Sequence, residues 1–122
     1  PSQRRNKYGR LLAWAFVDSV FICERMLSNG LAYLLIFDQN DYHQPLIKRL
    51  LRAQRAAIEA GRGLHSLPRE PESHYVATTA GLRFHRPGCR TIRNLPASEA
   101  RLFDNREQPL REGLAPCRIC RP

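Results

Sequence analysis

The chain has 122 residues, enough for one ordinary domain or for two small ones that would each have difficulty burying a sufficient core. Twenty Lys and Arg against 11 Asp and Glu leave a formal charge of +9 and a pI near 10.3, and only Lys7 and Lys48 are lysines. The surplus is therefore guanidinium, whose planar fork suits phosphate. That favours phosphate, as in nucleic acid, over generic solubility, with a solvated basic surface as the other reading of the composition. No run of about eighteen apolar residues is present, and no basic stretch carries the Trp and Phe anchors of an interfacial helix, so a membrane partner is not expected. The opening PSQRRNKYGR lacks an initiating Met, which leaves room for an upstream segment and any targeting signal within it.

In chain order, LLAWAFVD is a continuous apolar run rich in strand formers, and Asp18-Ser19 followed by VFI predicts a hairpin turn into a second short strand. CERMLSNG predicts a helix closed by Gly30, and LAYLLIF predicts a third strand. From about His43 to Ala60, Leu46, Ile47, Leu50, Leu51, Gln54, Ala57 and Ile58 recur at helical spacing and Gly61 and Gly63 end the pattern, so a long amphipathic helix is expected. SLPREPES, at 66–73, reads as a linker. The expected organisation is a first unit over 1–66, a linker over 67–74 and a second unit over 75–122. In the second unit YVATT and LRF predict a hairpin, RLF another strand, and NREQPLREGL a helical turn broken around Pro109. Positive charge is spread over both halves.

The second unit is too poor in apolar residues to fold easily alone at about fifty residues, and its cysteines suggest the remedy. PCRIC places Cys117 and Cys120 at a spacing that lets two thiolates reach one ion from a tight turn. HRPGC adds His85 and Cys89 as a second pair. Four protein ligands leave no open position for water, so the ion expected is a structural zinc. A redox CxxC pair and a disulfide framework are the other readings of these cysteines, and His74 is a spare fourth ligand. Cys23 falls in the expected apolar helix and reads as a small buried hydrophobe; His43, His65 and His74 read as solvent-facing. Three zinc thiolates slightly favour a reducing cytoplasm.

YVATTAGLRFHRPGC, a spacer containing NLPASEARLF, and EGLAPCRICRP together resemble the zinc-binding domain of Ada-type DNA alkylation-repair proteins, over about residues 75–122. The resemblance implies a zinc site and a DNA contact. In that family the first ligand is a cysteine that accepts a methyl group from a DNA phosphotriester; His85 stands in its place here, and an imidazole is no substitute for a thiolate nucleophile. QRRNKYGRLLAWAFVD, NGLAYLL and AQRAAIEAGRGLHS resemble the thermonuclease (staphylococcal-nuclease-like) family over about residues 3–66. The implied fold class is α+β, an incomplete OB-type barrel segment joined to a small zinc-stabilised α+β domain. The implied activity is calcium-dependent cleavage of DNA or RNA, with Arg10 as the catalytic phosphate-binding arginine and Lys7, Tyr8 and Tyr33 as phosphate or nucleotide contacts.

The family's calcium-binding acids lie before KYGR, on strands for which this chain has no residues. Among local acids only Asp38 and Asp41 lie close together, and they read first as a turn and helix cap. Calcium therefore enters only if the site is completed, by an upstream segment, a second chain or a homodimer mate that also covers the open sheet. The alternative reading is a non-catalytic nucleic-acid-binding or assembly module.

Overall fold

A computed structural model of the chain describes residues 4–122, so residues 1–3 of the expected first unit lie outside the described residues. The architecture is α+β, with two sheets and three helices, and the described strands close no barrel.

The first sheet is a minimal hairpin. β1 (Phe16–Val17) and β2 (Val20–Phe21) pair antiparallel through Asp18 and Ser19, both at positive φ (48° and 67°), the geometry of a tight hairpin turn. Of the expected first strand, Phe16 and Val17 are laddered with β2, and Leu11 forms an isolated antiparallel bridge with Arg5. Leu11, Leu12, Trp14, Phe16 and Val17 stay exposed, because the two-stranded sheet among the described residues leaves their faces uncovered.

α1 (Ile22–Ser28) follows directly and ends at Gly30, whose φ of +69° lets the chain turn back. The expected third strand, 31–37, is extended but unpaired. Its side chains alternate as a strand's would, with Leu34 and Ile36 buried and Phe37 exposed, yet they pack onto a helix instead of joining a sheet.

That helix is α2 (Pro45–Glu59), opened by a proline at its first position, where no intrahelical N–H is required. Ile47 and Leu50 pack with Phe21, Leu27, Leu34 and Ile36. About two turns further on, Ile58 packs with Tyr75, Ala77, Phe84, Phe103, Leu110 and Leu114 of the second half. The long helix thus serves two cores, and the halves are packed on one another across it.

The second sheet has the order β5-β3-β4-β6, built from β3 (Tyr75–Thr78), β4 (Arg83–His85), β5 (Ala100–Phe103) and β6 (Ala115–Pro116). β3 is antiparallel to β4 and β5, whereas β4 and β6 run parallel. Between β5 and β6 lies α3 (Glu107–Glu112), which the sequence marks as broken at Pro109. It is continuous, because Pro109 falls in the first turn, where the N–H that proline lacks would have had no partner. Gly113, at φ +92°, closes it.

Candidate metal centre and arginine groove

The parallel pairing of β4 with β6 builds the metal centre. Arg83 and Phe84 lie opposite Ala115 and Pro116, and the N–H of Cys117 donates to the carbonyl of Phe84 at 2.9 Å. Two motifs far apart in sequence, HRPGC and PCRIC, therefore emerge side by side from the same sheet end. The ligand atoms of His85, Cys89, Cys117 and Cys120 all lie within 4.8 Å of one another, and the sulfurs of Cys89 and Cys117 are 4.0 Å apart. In a tetrahedral zinc site, Zn–S bonds of about 2.3 Å put sulfurs ~3.8 Å apart, so the four groups fit one such ion with small inward movements. The cluster can hold a metal ion such as zinc. All four cysteines are free thiols, and His74 bonds Ser73 Oγ at 2.9 Å instead of joining the cluster.

Hydrogen bonds around the thiols shape the centre further. The backbone N–H of Arg86 donates to Cys120 Sγ at 3.2 Å and that of Ile119 to Cys117 Sγ at 3.3 Å. Thr91 Oγ1 sits 3.0 Å from Cys89 Sγ and 3.2 Å from His85 Nδ1, bridging the two ligands of the first motif. Donors aimed at sulfur orient thiolates and offset their charge. Burial pushes the Cys120 thiol up to about 11, and the neighbouring thiols of Cys89 and Cys117 add to this. Burial also opposes ionisation of Cys89, but bonds from Thr91 together with the adjacent thiols bring it below its ordinary value. His85 is lowered by burial and by the charge of Arg83, which favours the neutral imidazole a metal requires.

Arg86 ties the centre to the rest of the fold. Its guanidinium donates to the carbonyls of Cys120 (2.9 Å) and Arg121 (3.0 Å) and pairs with Glu72 Oε1 at 2.7 Å. Neither Arg86 nor Thr91 stands out in the sequence. Arg86 lies within HRPGC and Thr91 two residues beyond it, yet nothing in spacing distinguishes an arginine that clamps a turn from a solvated one.

Beside the centre runs an open groove of about 610 Å³, lined by Tyr33, Leu35, Ala115, Pro116, Cys117 and Pro122 and by five arginines, 69, 83, 106, 118 and 121. No acidic residue lines it. Among the described residues, none of these arginines has a carboxylate partner, whereas Arg49, Arg86, Arg101 and Arg111 do. One wall belongs to the metal-binding turn and another to the first half through Tyr33, so the groove exists only in the assembled fold.

The residues expected to carry catalysis are placed elsewhere. Lys7, Tyr8 and Arg10 share one exposed turn. Asn6 Oδ1 accepts from the N–H groups of Tyr8 (2.9 Å) and Arg10 (3.0 Å), and the Lys7 and Arg10 cations lie 5.1 and 5.4 Å from the Tyr8 ring centre. Tyr33 belongs to the groove, which Lys7, Tyr8 and Arg10 do not line. The acids of the first half have other work. Asp38 Oδ1 accepts from the Asn40 N–H at 2.9 Å and caps the short helical turn at 39–43, whereas Asp41 Oδ1 accepts from the Gln44 side-chain amide at 2.7 Å; the expected cap on the long helix is made by neither. Glu24 pairs with Arg49, and Glu59 with Arg111 at 3.7 Å.

Two expectations about side chains need amendment. His65 is not simply solvent-facing: its Nε2 is buried without a hydrogen-bond partner among the described residues, and its ring meets Tyr33 edge-on at 5.8 Å. Cys23 is half-buried and packs against the first core. No helix among the described residues is long and apolar enough to cross a membrane. Comparison with protein-family models, curated proteins and solved structures yields no match, so the functional argument rests on the geometry.

Proposed function

We propose that this chain is a nucleic-acid-binding module in which a structural zinc, held by His85, Cys89, Cys117 and Cys120, fixes one wall of a phosphate-binding groove. The observation that carries this reading is the convergence of five arginines, unneutralised by any carboxylate, on a groove beside the metal ligands. Guanidinium groups that form no ion pair with a carboxylate attract a polyanion, and the apolar floor gives sugars or bases a place against protein. Four protein ligands close the ion's coordination, so the metal supports structure and takes no part in chemistry.

The test is fluorescence anisotropy of a labelled single-stranded oligonucleotide across a salt series. Binding should weaken steeply with salt, with a log–log slope of roughly −3 to −4 for five phosphate contacts at about −0.7 each, and calcium should have no specific effect. Absence of binding at about 50 mM salt, where screening is weak, would sink the reading.

A second reading has one observation in its favour. The exposed apolar run from Leu11 to Val17, next to the Lys7–Tyr8–Arg10 turn, suits a thermonuclease-like OB segment completed by a second chain or a homodimer mate that supplies acids and calcium. On that reading Arg10 stabilises charge on the phosphorus of a cleaved phosphodiester. Cleavage of single-stranded DNA in millimolar calcium, abolished by EDTA and by Arg10→Ala, would support it. Light scattering reports whether a dimer forms.

A further inference from the structure

At one end of the groove, two arginines from distant parts of the chain meet a single oxygen. Arg69, in the segment joining the halves, donates from Nη2 to the Tyr33 hydroxyl at 3.1 Å. Arg106, at the entrance to α3, donates to the same oxygen at 2.9 Å. A phenol oxygen offers two acceptor sites, so both are taken by cationic donors while the oxygen itself carries no charge. Two positive groups thus converge on a neutral acceptor; among the described residues neither forms an ion pair, and Glu72, Asp104 and Glu107 line the neighbouring pocket that both arginines share.

Arg106 is held ready for this task. Its Nε donates to the carbonyl of Pro122 at 3.0 Å, and its guanidinium lies 5.2 Å from the Tyr33 ring centre and 5.9 Å from that of Phe84. Arg83 is likewise anchored, donating to the Pro116 carbonyl at 2.8 Å. Arginines already ordered by such contacts lose little side-chain freedom when an anion arrives. Exchanging the neutral oxygen for a charged one sets both guanidinium groups against an opposite charge and so strengthens bonds that were cationic on the donor side alone.

We propose that Arg69 and Arg106 form the seat for one phosphate of a single-stranded nucleic acid, and that the Tyr33 hydroxyl holds the place of a phosphate oxygen in the free protein. Arg83, Arg118 and Arg121 receive the neighbouring phosphates along the groove. The ligand is a single strand because the floor of the groove is apolar, with Leu35, Ala115, Pro116 and Pro122, and a single strand has unstacked bases to lay against it whereas a duplex keeps its bases inside. This inference rests on the nucleic-acid-binding reading above and assigns it a place and a strand type.

The experiment is anisotropy titration of a labelled deoxythymidine oligonucleotide with the full, zinc-loaded chain and three variants: Arg69→Gln, Tyr33→Phe, and Arg52→Gln on the exposed face of α2 as a charge-matched control. Zinc content and melting temperature establish that each variant is folded. Arg69→Gln should weaken binding roughly tenfold and reduce the salt slope by about 0.7. Tyr33→Phe should bind as tightly as the parent or more so, since it frees two donors; Arg52→Gln should lose under twofold. Equal losses in Arg69→Gln and Arg52→Gln, a tenfold loss in Tyr33→Phe, or a preference for duplex of the same length would overturn the seat while leaving nucleic-acid binding intact. Failure of the parent chain to bind would overturn both.

Discussion

Gln54 Nε2 donates to the carbonyl of Leu110 at 2.7 Å, while its Oε1 accepts the N–H of Leu34 at the same distance. One fully buried amide on α2 thereby joins the unpaired extended segment of the first half to the last turn of α3 in the second. The Leu34 N–H would otherwise be stranded, because its segment has no strand beside it. Gln54→Leu should therefore cost about 2 kcal/mol, read as a lower denaturation midpoint, since the N–H loses its partner while the Leu110 carbonyl still accepts from Gly113. Gln54→Glu keeps the acceptor but sets an ionised carboxylate against a carbonyl. Burial and that contact should raise its folded-state pKa, so this variant should regain stability as pH falls and the carboxyl becomes a donor.

The helices of the first half meet through backbone. A Cβ on Gly30 would lie 2.1 Å from the carbonyl oxygen of Arg62, and one on Gly63 would lie 2.4 Å from that of Gly30. Gly30→Ala should cost ~2–4 kcal/mol, combining the left-handed backbone with a rigid overlap. Gly61, also at positive φ but with open space where its Cβ would project, is the control: Gly61→Ala should cost only about 1–2 kcal/mol. Equal losses in chemical denaturation would show that the approach of residues 30 and 62 is not tight.

Native mass spectrometry should find one zinc per chain. Chelation should disorder the turn that carries Arg118 and Arg121 and weaken oligonucleotide binding along with it, because the metal-binding turn is a wall of the groove. His85→Ala removes a ligand and should lower zinc affinity by more than the roughly 10–100-fold typical of losing an outer-shell partner. Retention of one tightly bound zinc in that variant would show that His85 is no ligand.

Arg86 ties the segment carrying Glu72 to the backbone of the metal-binding turn. Arg86→Leu keeps the aliphatic stem and removes the fork, leaving the carbonyls of Cys120 and Arg121 without these donors. A loss of about 1–3 kcal/mol and faster zinc release to a chelator are expected. Unchanged release would confine Arg86 to a surface pairing.

The pKa of His65 is lowered, first by burial of its ring and then by the charge of Arg106. A histidine with a folded-state value below its ordinary 6.5 binds fewer protons folded than unfolded, so its contribution is intact above that value and is lost as pH falls through the folded value. His65→Gln should therefore flatten the decline of stability on the acid side of pH 6.5 relative to the parent chain. His85 shifts in the same direction, so the difference between the two profiles is the measurement that counts.

Much of the local structure was legible from residue pattern alone. The period of α2, the Asp18-Ser19 turn and the turn at Asp38 each depend on neighbours within a few positions, where propensity and spacing act directly. The four metal ligands were legible for a similar reason: each pair lies within one turn, and the chemistry of the ion demands that the pairs meet. Strand pairing was less so. Residues 31–37 alternate as a strand does and yet pair with nothing, because alternation reports which side chains are buried and not what buries them. Pro109 misled through its register, since the same residue breaks a helix interior and is harmless in a first turn.

The sequence by itself determined a basic, arginine-rich α+β chain with a long amphipathic helix and a Cys/His ligand set, because these follow from composition and short-range spacing. Only the tertiary structure decided that β4 and β6 run parallel and so bring the ligands together, that Gln54 links the two halves, and that Tyr33 meets Arg69 and Arg106. Those pairings join residues dozens of positions apart, and their partners are selected by the packing of shared cores around Ile58 and Phe84, which no local pattern encodes.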